Sequence, residues 1–195
     1  MPAADPMTRT NILDGAVTVL QRDGLADLSI RKVASAAGVP LSQVHYHFGS
    51  KQGLVLAILA RDSERLLARQ TEMYSEDVPL WKQWEEACDF YDDDLASGYV
   101  RNLQEMIAAG WSDPEVAEAV RDLQLQWHKL LRVVAERAEA RFRWTVGLSA
   151  SDVATMVHMM WLGAEAMQLL GFEEAGIELR PVLRRIGAMI RLLEE

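Results

Sequence analysis

The sequence predicts an all-α protein of about nine helices. Three observations carry that expectation: apolar residues recur at helical spacing along the whole chain, the strict alternation of a half-buried strand is scarce, and cap signals punctuate the apolar stripes. Leu13, Ala16, Val17 and Leu20 fall at i, i+3, i+4 and i+7, an amphipathic helix over residues 8–22 that Gly24 ends. Ser29 is placed as N-cap of a short second helix carrying Ile30, Val33 and Ala34, and Gly38 stops it. Residues 42–48 form a third, with Val44 and Phe48 on one face. Ser50 caps a fourth, whose apolar side is Leu54, Val55, Ile58, Leu59 and Leu66, running to about Met73.

Pro79 suits the first turn of a fifth helix bearing Trp81, Trp84, Cys88 and Tyr91. Ser97 and Gly98 separate it from a helix around 100–109, which Gly110 closes. Asp113 and Pro114 form an N-cap and first-position pair, opening a long helix to about Trp144. Ser149 to Asp152 reads as a capping box for a helix reaching about Leu170. Residues 171–176 are a loop, and Pro181 lies in the first turn of a last helix with Leu183, Ile186, Ile190 and Leu193.

Composition narrows the function classes. Half of the 195 residues are hydrophobic and a quarter are charged, enough for a sizeable core. No apolar run approaches the roughly 18 residues that a membrane helix needs, so no membrane partner is expected. Residues 1–6 lack a basic segment followed by an apolar one, so they are expected to be a frayed end and not a signal peptide. The single cysteine, Cys88, permits no internal disulfide, which fits a reducing cytoplasm, and it is expected to be buried and structural. The net charge of −9 is unevenly spread. Residues 1–53 hold Arg9, Arg22, Arg31, Lys32 and Lys51 against Asp5, Asp14, Asp23 and Asp27, a net of +1, and the remainder carries −10. Such a head can approach a polyanion while the acidic body is repelled from it. No nucleophile–base pair, metal-ligand spacing or phosphate loop stands out, so neither an enzyme nor a cofactor is expected. His45 and His47, two apart on a helix, point to nearly opposite sides and are not a metal pair. Asp92, Asp93 and Asp94 read as a solvated acidic helix end.

The informative stretch is Leu28 to Lys51. Two short helices meet at Gly38 and Val39, where glycine can take the positive φ of a sharp turn. Ala34 lets the second helix approach, and Ile30, Val33, Val39 and Val44 fill the space between them. This is a helix-turn-helix, whose second helix enters the DNA major groove. Its exposed residues are expected to be Pro40, Leu41, Ser42, Gln43, His45 and Tyr46. A DNA-binding domain at residues 1–50 and a second domain at 51–195 follow.

The run His45-Tyr46-His47-Phe48-Gly49-Ser50-Lys51, placed after this turn, resembles the DNA-binding domain of TetR-family transcriptional regulators, in detail over residues 8–60. The resemblance implies that Ser29 and Arg31 approach phosphate or a base edge. It implies that Gln43 pairs with adenine, that Leu41 touches a thymine methyl, and that Tyr46 and Lys51 bind phosphates. His45 stands where the family usually has Tyr, and Pro40 and Leu41 replace the small or basic residues often found there. The resemblance also implies a larger helical domain for ligand binding and dimerisation. All six tryptophans lie after residue 80. Trp84, Tyr91, Met106, Trp127, His128 and Trp161 are candidates to line a pocket for a small, largely apolar or aromatic effector. On the last two long helices, Met156, Met160, Gly163, Ala164 and Met167, with Ile186 and Ile190, suit a four-helix interface between two copies. The function implied is a homodimeric repressor on a palindromic duplex operator, released by the effector. The alternative is a ligand-independent activator or global regulator with the same fold.

Overall fold

The protein is described by a computed structural model, and the structure describes residues 6–142 and 147–194. Trp144 and residues 1–5 of the expected frayed end lie outside the described residues, and its last residue, Pro6, begins a helix. Among the described residues there are nine helices: α1 Pro6–Asp27, α2 Ile30–Ala37, α3 Leu41–Phe48, α4 Lys51–Ser75, α5 Leu80–Ser97, α6 Tyr99–Gly110, α7 Pro114–Phe142, α8 Ala150–Leu169 and α9 Leu179–Glu194. They fall into two compact units, Met1–Glu64 with Ser97–Ala119, and Arg65–Ala96 with Val120–Glu195. The division by compactness therefore runs through α4 and α7, and not before α4 at residue 50.

The first unit is built around α1 to α3 and the start of α4. Ile12, Leu13, Ala16 and Val19 of α1 are buried, whereas Val17 and Leu20 are half-buried. The apolar stripe is thus turned from the expected one toward Ile12 and Val19. Val33, Val44, Leu54, Val55, Ile58 and Leu59 complete this core. Each such aliphatic side chain contributes about 1.5–3 kcal/mol when fully removed from water. Ile30 and Val39 are only half-buried. Gly24 breaks α1 with φ 77 and ψ 170, so the chain turns where the sequence expects the helix to end. Arg61 reaches Asp14 at 2.7 Å, and Gln52 donates to Asp113 Oδ2 at 3.0 Å. Asp113 Oδ1 meanwhile accepts from the amides of Glu115 and Val116, capping α7.

The second unit packs α5 against α8 and α9. Trp84, Tyr91 and Trp161 stack at ring separations of 5.8 Å and 5.3 Å, among Met73, Tyr74, Ala87, Cys88, Ala164 and Leu183. Two of the buried polar tips are bonded to main chain: Trp84 Nε1 donates to Leu183 O at 2.8 Å and Tyr91 Oη to Ala164 O at 3.3 Å. Cys88 is buried as expected, and burial pushes its thiol up to about 11, which leaves it unreactive. Glu194 accepts from the amides of Leu80 and Trp81 at 3.1 Å and 3.0 Å, so the end of α9 caps the start of α5. Ser149 and Asp152 form the expected capping box.

Of the Asp92–Asp94 run, Asp93 is solvated as expected, but the run lies inside α5 and its two neighbours are paired. Asp94 takes a bidentate contact from Arg69 at 2.9 Å, and Asp92 lies 2.9 Å from Arg180. Burial pushes the Asp94 carboxyl up to about 6 against the opposing pull of Arg69.

Tight joints in the first unit make a stability prediction. A Cβ at Gly53 would overlap the carbonyl oxygen of Phe48, a backbone atom that cannot swing aside. Gly53→Ala is expected to destabilise by about 1–3 kcal/mol, the usual cost of overpacking. Urea unfolding would show this as a lower midpoint with an unchanged slope.

Candidate functional site

The turn between α2 and α3 is assembled from local chemistry. Ser29 is extended, with φ −134 and ψ 146, and its hydroxyl accepts from the Lys32 amide at 3.2 Å. At the other end Gly38 takes φ 65 and ψ 31, and its amide meets the carbonyls of Ala34 and Ser35. Any other L-residue would be strained in that conformation. Val44, fully buried, anchors the inner side of α3. Pro40, Leu41, Ser42, Gln43, His45 and Tyr46 are all exposed, as the sequence reading expects. Tyr46 is 54% exposed, a high value for an aromatic ring beside a core.

The basic groups are distributed less simply. Asp23 accepts from Arg22 at 2.6 Å and from Lys32 at 2.8 Å, and these two contacts hold its carboxyl well below the usual range. Lys51 is half-buried, and its ammonium donates to Leu25 O at 2.7 Å and Ala26 O at 3.2 Å. It therefore supplies the cation that the last turn of α1 lacks. Arg31 is exposed and engaged by no carboxylate among the described residues. Ser29 is half-buried, with its hydroxyl already committed to the cap. His45 Nδ1 lies 3.1 Å from Gly49 O and braces the end of α3. Phe48 is half-buried under the Arg9 guanidinium, 5.4 Å away. Ser50 Oγ accepts from the Gly53 amide at 3.0 Å, capping α4.

Exposed face, capped turn and fixed α4 start together are a helix-turn-helix of the DNA-reading type. Residues 12–58 match the family described as bacterial regulatory proteins, tetR family. The regulator UidR of Escherichia coli K12 is 34% identical over 65 residues, which is 33% of each protein, so the match spans a third of that relative's length. Among solved structures, Salmonella enterica GusR superposes with a TM-score of 0.70 at 20% identity, covering 95% of this chain and 96% of that one. A FadR from Bacillus subtilis in complex with stearoyl-CoA gives 0.70 at 14% identity, covering 93% and 96%. Residues 12–58 are thus similar to the helix-turn-helix segment of the tetR family of bacterial regulators, and the two structural likenesses show a shared fold.

The second unit contains a cavity of about 560 Å³ among α5, α7, α8 and α9. Of the six residues expected to line an effector pocket, it is lined by Trp84 alone. Tyr91 and Trp161 are consumed by the aromatic stack. Met106 is buried in the first unit. Trp127 donates to Gln70 Oε1 at 2.7 Å, and His128 Nδ1 sits 3.2 Å from His158 Nδ1. Met156, Met160, Ile186 and Ile190, expected at a dimer interface, also contribute walls to the cavity. Ala164 is buried beneath Tyr91 and has no free surface for a second copy, and Met167 is half-buried. Gly163 is exposed, and nothing lies within 4 Å of a Cβ built on it. Leu131, Val134 and Val157 also line the cavity. The sequence marks them as apolar helix positions but carries no signal that the space beside them stays unfilled.

His158, absent from the sequence expectations, is the centre of a small network: its Nε2 donates to Gln124 Oε1 at 3.0 Å and its ring meets Trp127 edge-on at 4.8 Å. Burial first, and the charge of His128 second, lower its pKa. The unfolded chain takes up this proton near pH 6.5 and the folded chain resists it, so the His158 ring costs stability as pH falls below about 6.5. Asp94 acts with the opposite sign, gaining stability as pH falls through 6, and is common to any His158 variant. The melting temperature of the wild type is therefore expected to drop more than that of His158→Gln between about pH 7.5 and 5.5. Parallel pH profiles would show that this ring does not set the difference.

Proposed function

We propose that the chain is a dimeric transcriptional repressor that reads a palindromic duplex operator through α3 and leaves it when a small effector binds the second unit. The exposed face from Pro40 to Tyr46, held by one buried valine and a glycine turn, is the observation that carries the reading. In this reading Gln43 hydrogen-bonds an adenine edge, Leu41 packs on a thymine methyl, and Tyr46 and Arg31 contact phosphates. Ser42, His45 and Pro40 fill the groove around them. Ser29 and Lys51 act mainly by fixing α2 and α1, because their polar atoms are already bonded within the protein. With Arg22 and Lys32 paired to Asp23, few cations remain to neutralise phosphate, so salt dependence should be moderate.

Exposed Met156 and Met159 on α8, and Val182, Met189, Leu192 and Leu193 on α9, support a four-helix interface across a two-fold axis. A largely apolar or aromatic effector is supported by the all-apolar cavity. Helix α4, which belongs to both units, is the element through which effector and operator would be coupled, typically by about 1–3 kcal/mol. No helix among the described residues is long and apolar enough to cross a membrane.

Recovery of genomic DNA fragments by the purified protein tests this. Enrichment of a palindromic site is expected, with affinity falling roughly tenfold or more in Gln43→Ala and in Tyr46→Ala while thermal stability stays unchanged. If wild type and both variants enriched the same fragments equally, α3 would not be the reading helix. A reporter driven from the recovered site should rise when the gene for this protein is deleted. A fall would make it an activator.

A further inference from the structure

The cavity in the second unit owes its existence to small residues. Ala135 and Ala138 on α7 and Ala154 on α8 are buried and line it, on helices where Leu131, Val134 and Val157 are larger. Close-packed interiors seldom leave an apolar space of this size unfilled. About 560 Å³ lies within the roughly 300–1,000 Å³ range of ligand pockets. Its walls come from four helices and from Tyr74 at the end of α4, so it is concave. It is open on one side, where Met156 and Leu193 are exposed.

Its chemistry is uniform. Every lining residue is Ala, Val, Leu, Ile, Met, Trp or Tyr, and none carries a charge. Charged groups lie in an adjoining smaller recess of about 190 Å³, which shares Leu80, Val134 and Ala138 with the larger one and is lined by Arg137 and Arg141 together with Glu76 and Asp77. Arg137 is held there by Tyr74 O at 2.7 Å. An ionised group carried into the larger cavity would lose its hydration and meet no counter-charge.

We infer that this cavity is the effector site and that it takes an uncharged, mainly hydrocarbon or aromatic molecule, one per chain. This rests on the reading of the protein as an effector-released regulator, and it replaces Tyr91, Met106, Trp127, His128 and Trp161 by Val157, Met160, Ile186 and Ile190 as the residues that touch the effector. Trp84 remains, supplying an aromatic wall.

A matched pair of probes tests the chemistry. N-phenyl-1-naphthylamine is neutral, and 8-anilinonaphthalene-1-sulfonate is the same skeleton with a sulfonate added. Fluorescence titration of the full chain is expected to show saturable binding of the neutral probe at one per chain, with the sulfonate weaker by roughly tenfold or more. Ala154→Phe, which fills the cavity from α8, should abolish neutral-probe binding, and the milder Ala138→Leu should weaken it if the larger change prevents folding. Tyr46→Ala, in the head, should bind the probe as wild type does. Equal or tighter binding of the sulfonate, or undiminished binding by a folded filled variant, would overturn the assignment. Probe uptake that disappears as protein concentration drives chains to pair would also overturn it, because a second copy would then occupy the space. Operator binding measured on the same samples separates the two readings. A chain that binds DNA but not the probe loses only the effector site. One that binds the probe but no DNA loses the regulator reading and keeps the site.

Discussion

Helix α3 has eight residues and buries one of them completely, Val44. A helix that short does not persist alone in water, because nucleation costs more than two turns return. Its existence depends on what Val44 is pressed against, the core of Ile12, Leu13, Ala16, Val19 and Val33 with the first turns of α4. The turn at Gly38 and the Ser29 cap set the angle at which α3 leaves α2. Lys51 ties the start of α4 to the end of α1, and Ser50 caps the same turn. The outward residues can be polar, bulky or odd for a helix, Pro40 and His45 among them, since none is needed to hold the helix in place. That separation of duties lets a reading surface vary while its frame is kept.

The second unit solves a different problem, how to bury large amphipathic rings without stranding their polar tips. Trp84 and Tyr91 donate to main-chain carbonyls of α9 and α8, and buried Gln83 donates to Met73 O and Glu76 O. Each bond fixes a side chain that could otherwise turn into the neighbouring space. The rings so fixed cannot relax to fill the cavity beside Ala135, Ala138 and Ala154, and the space persists.

Much of the head was legible in the sequence for physical reasons. A cap serine, a glycine that needs positive φ and an alternation of buried and exposed positions are each local, and Ser29, Gly38 and Val44 stand where local rules put them. The face of α1 was misjudged by a small rotation, because Val17 and Leu20 compete with Ile12 and Val19 for the inner side and only the positions of α2 and α4 decide between them. Lys51 read as a phosphate ligand because nothing in a one-dimensional pattern shows the carbonyls of residues 25 and 26 folding back beneath it. The same limit governed the body. Periodicity marked Tyr91, Trp127 and Trp161 as inward, but whether an inward ring packs, bonds or borders a space depends on partners more than fifty residues away. Small residues were weighed as points of helix approach. Gly163 does stand open on α8, whereas Ala164 lies beneath a tyrosine and the alanines that matter most for shape, 135, 138 and 154, drew no notice.

The cavity and the surface assigned to pairing are not independent. Met156 and Leu193 are among the exposed apolar side chains of α8 and α9, and both also line the cavity. A second copy covering α8 and α9 would press on the rim whose inner side an occupant touches. The two events then share side chains, and sharing makes their free energies non-additive. If the occupant pushes the rim outward, pairing weakens; if it fills a space that pairing would otherwise have to collapse, pairing strengthens. Either sign is reciprocal, so a chain that pairs more tightly when occupied must also hold its occupant more tightly when paired. On the proposed reading, in which two copies read the two half-sites of a palindrome, such coupling would reach the DNA through the population of the pair, without a requirement that the occupant alter the head.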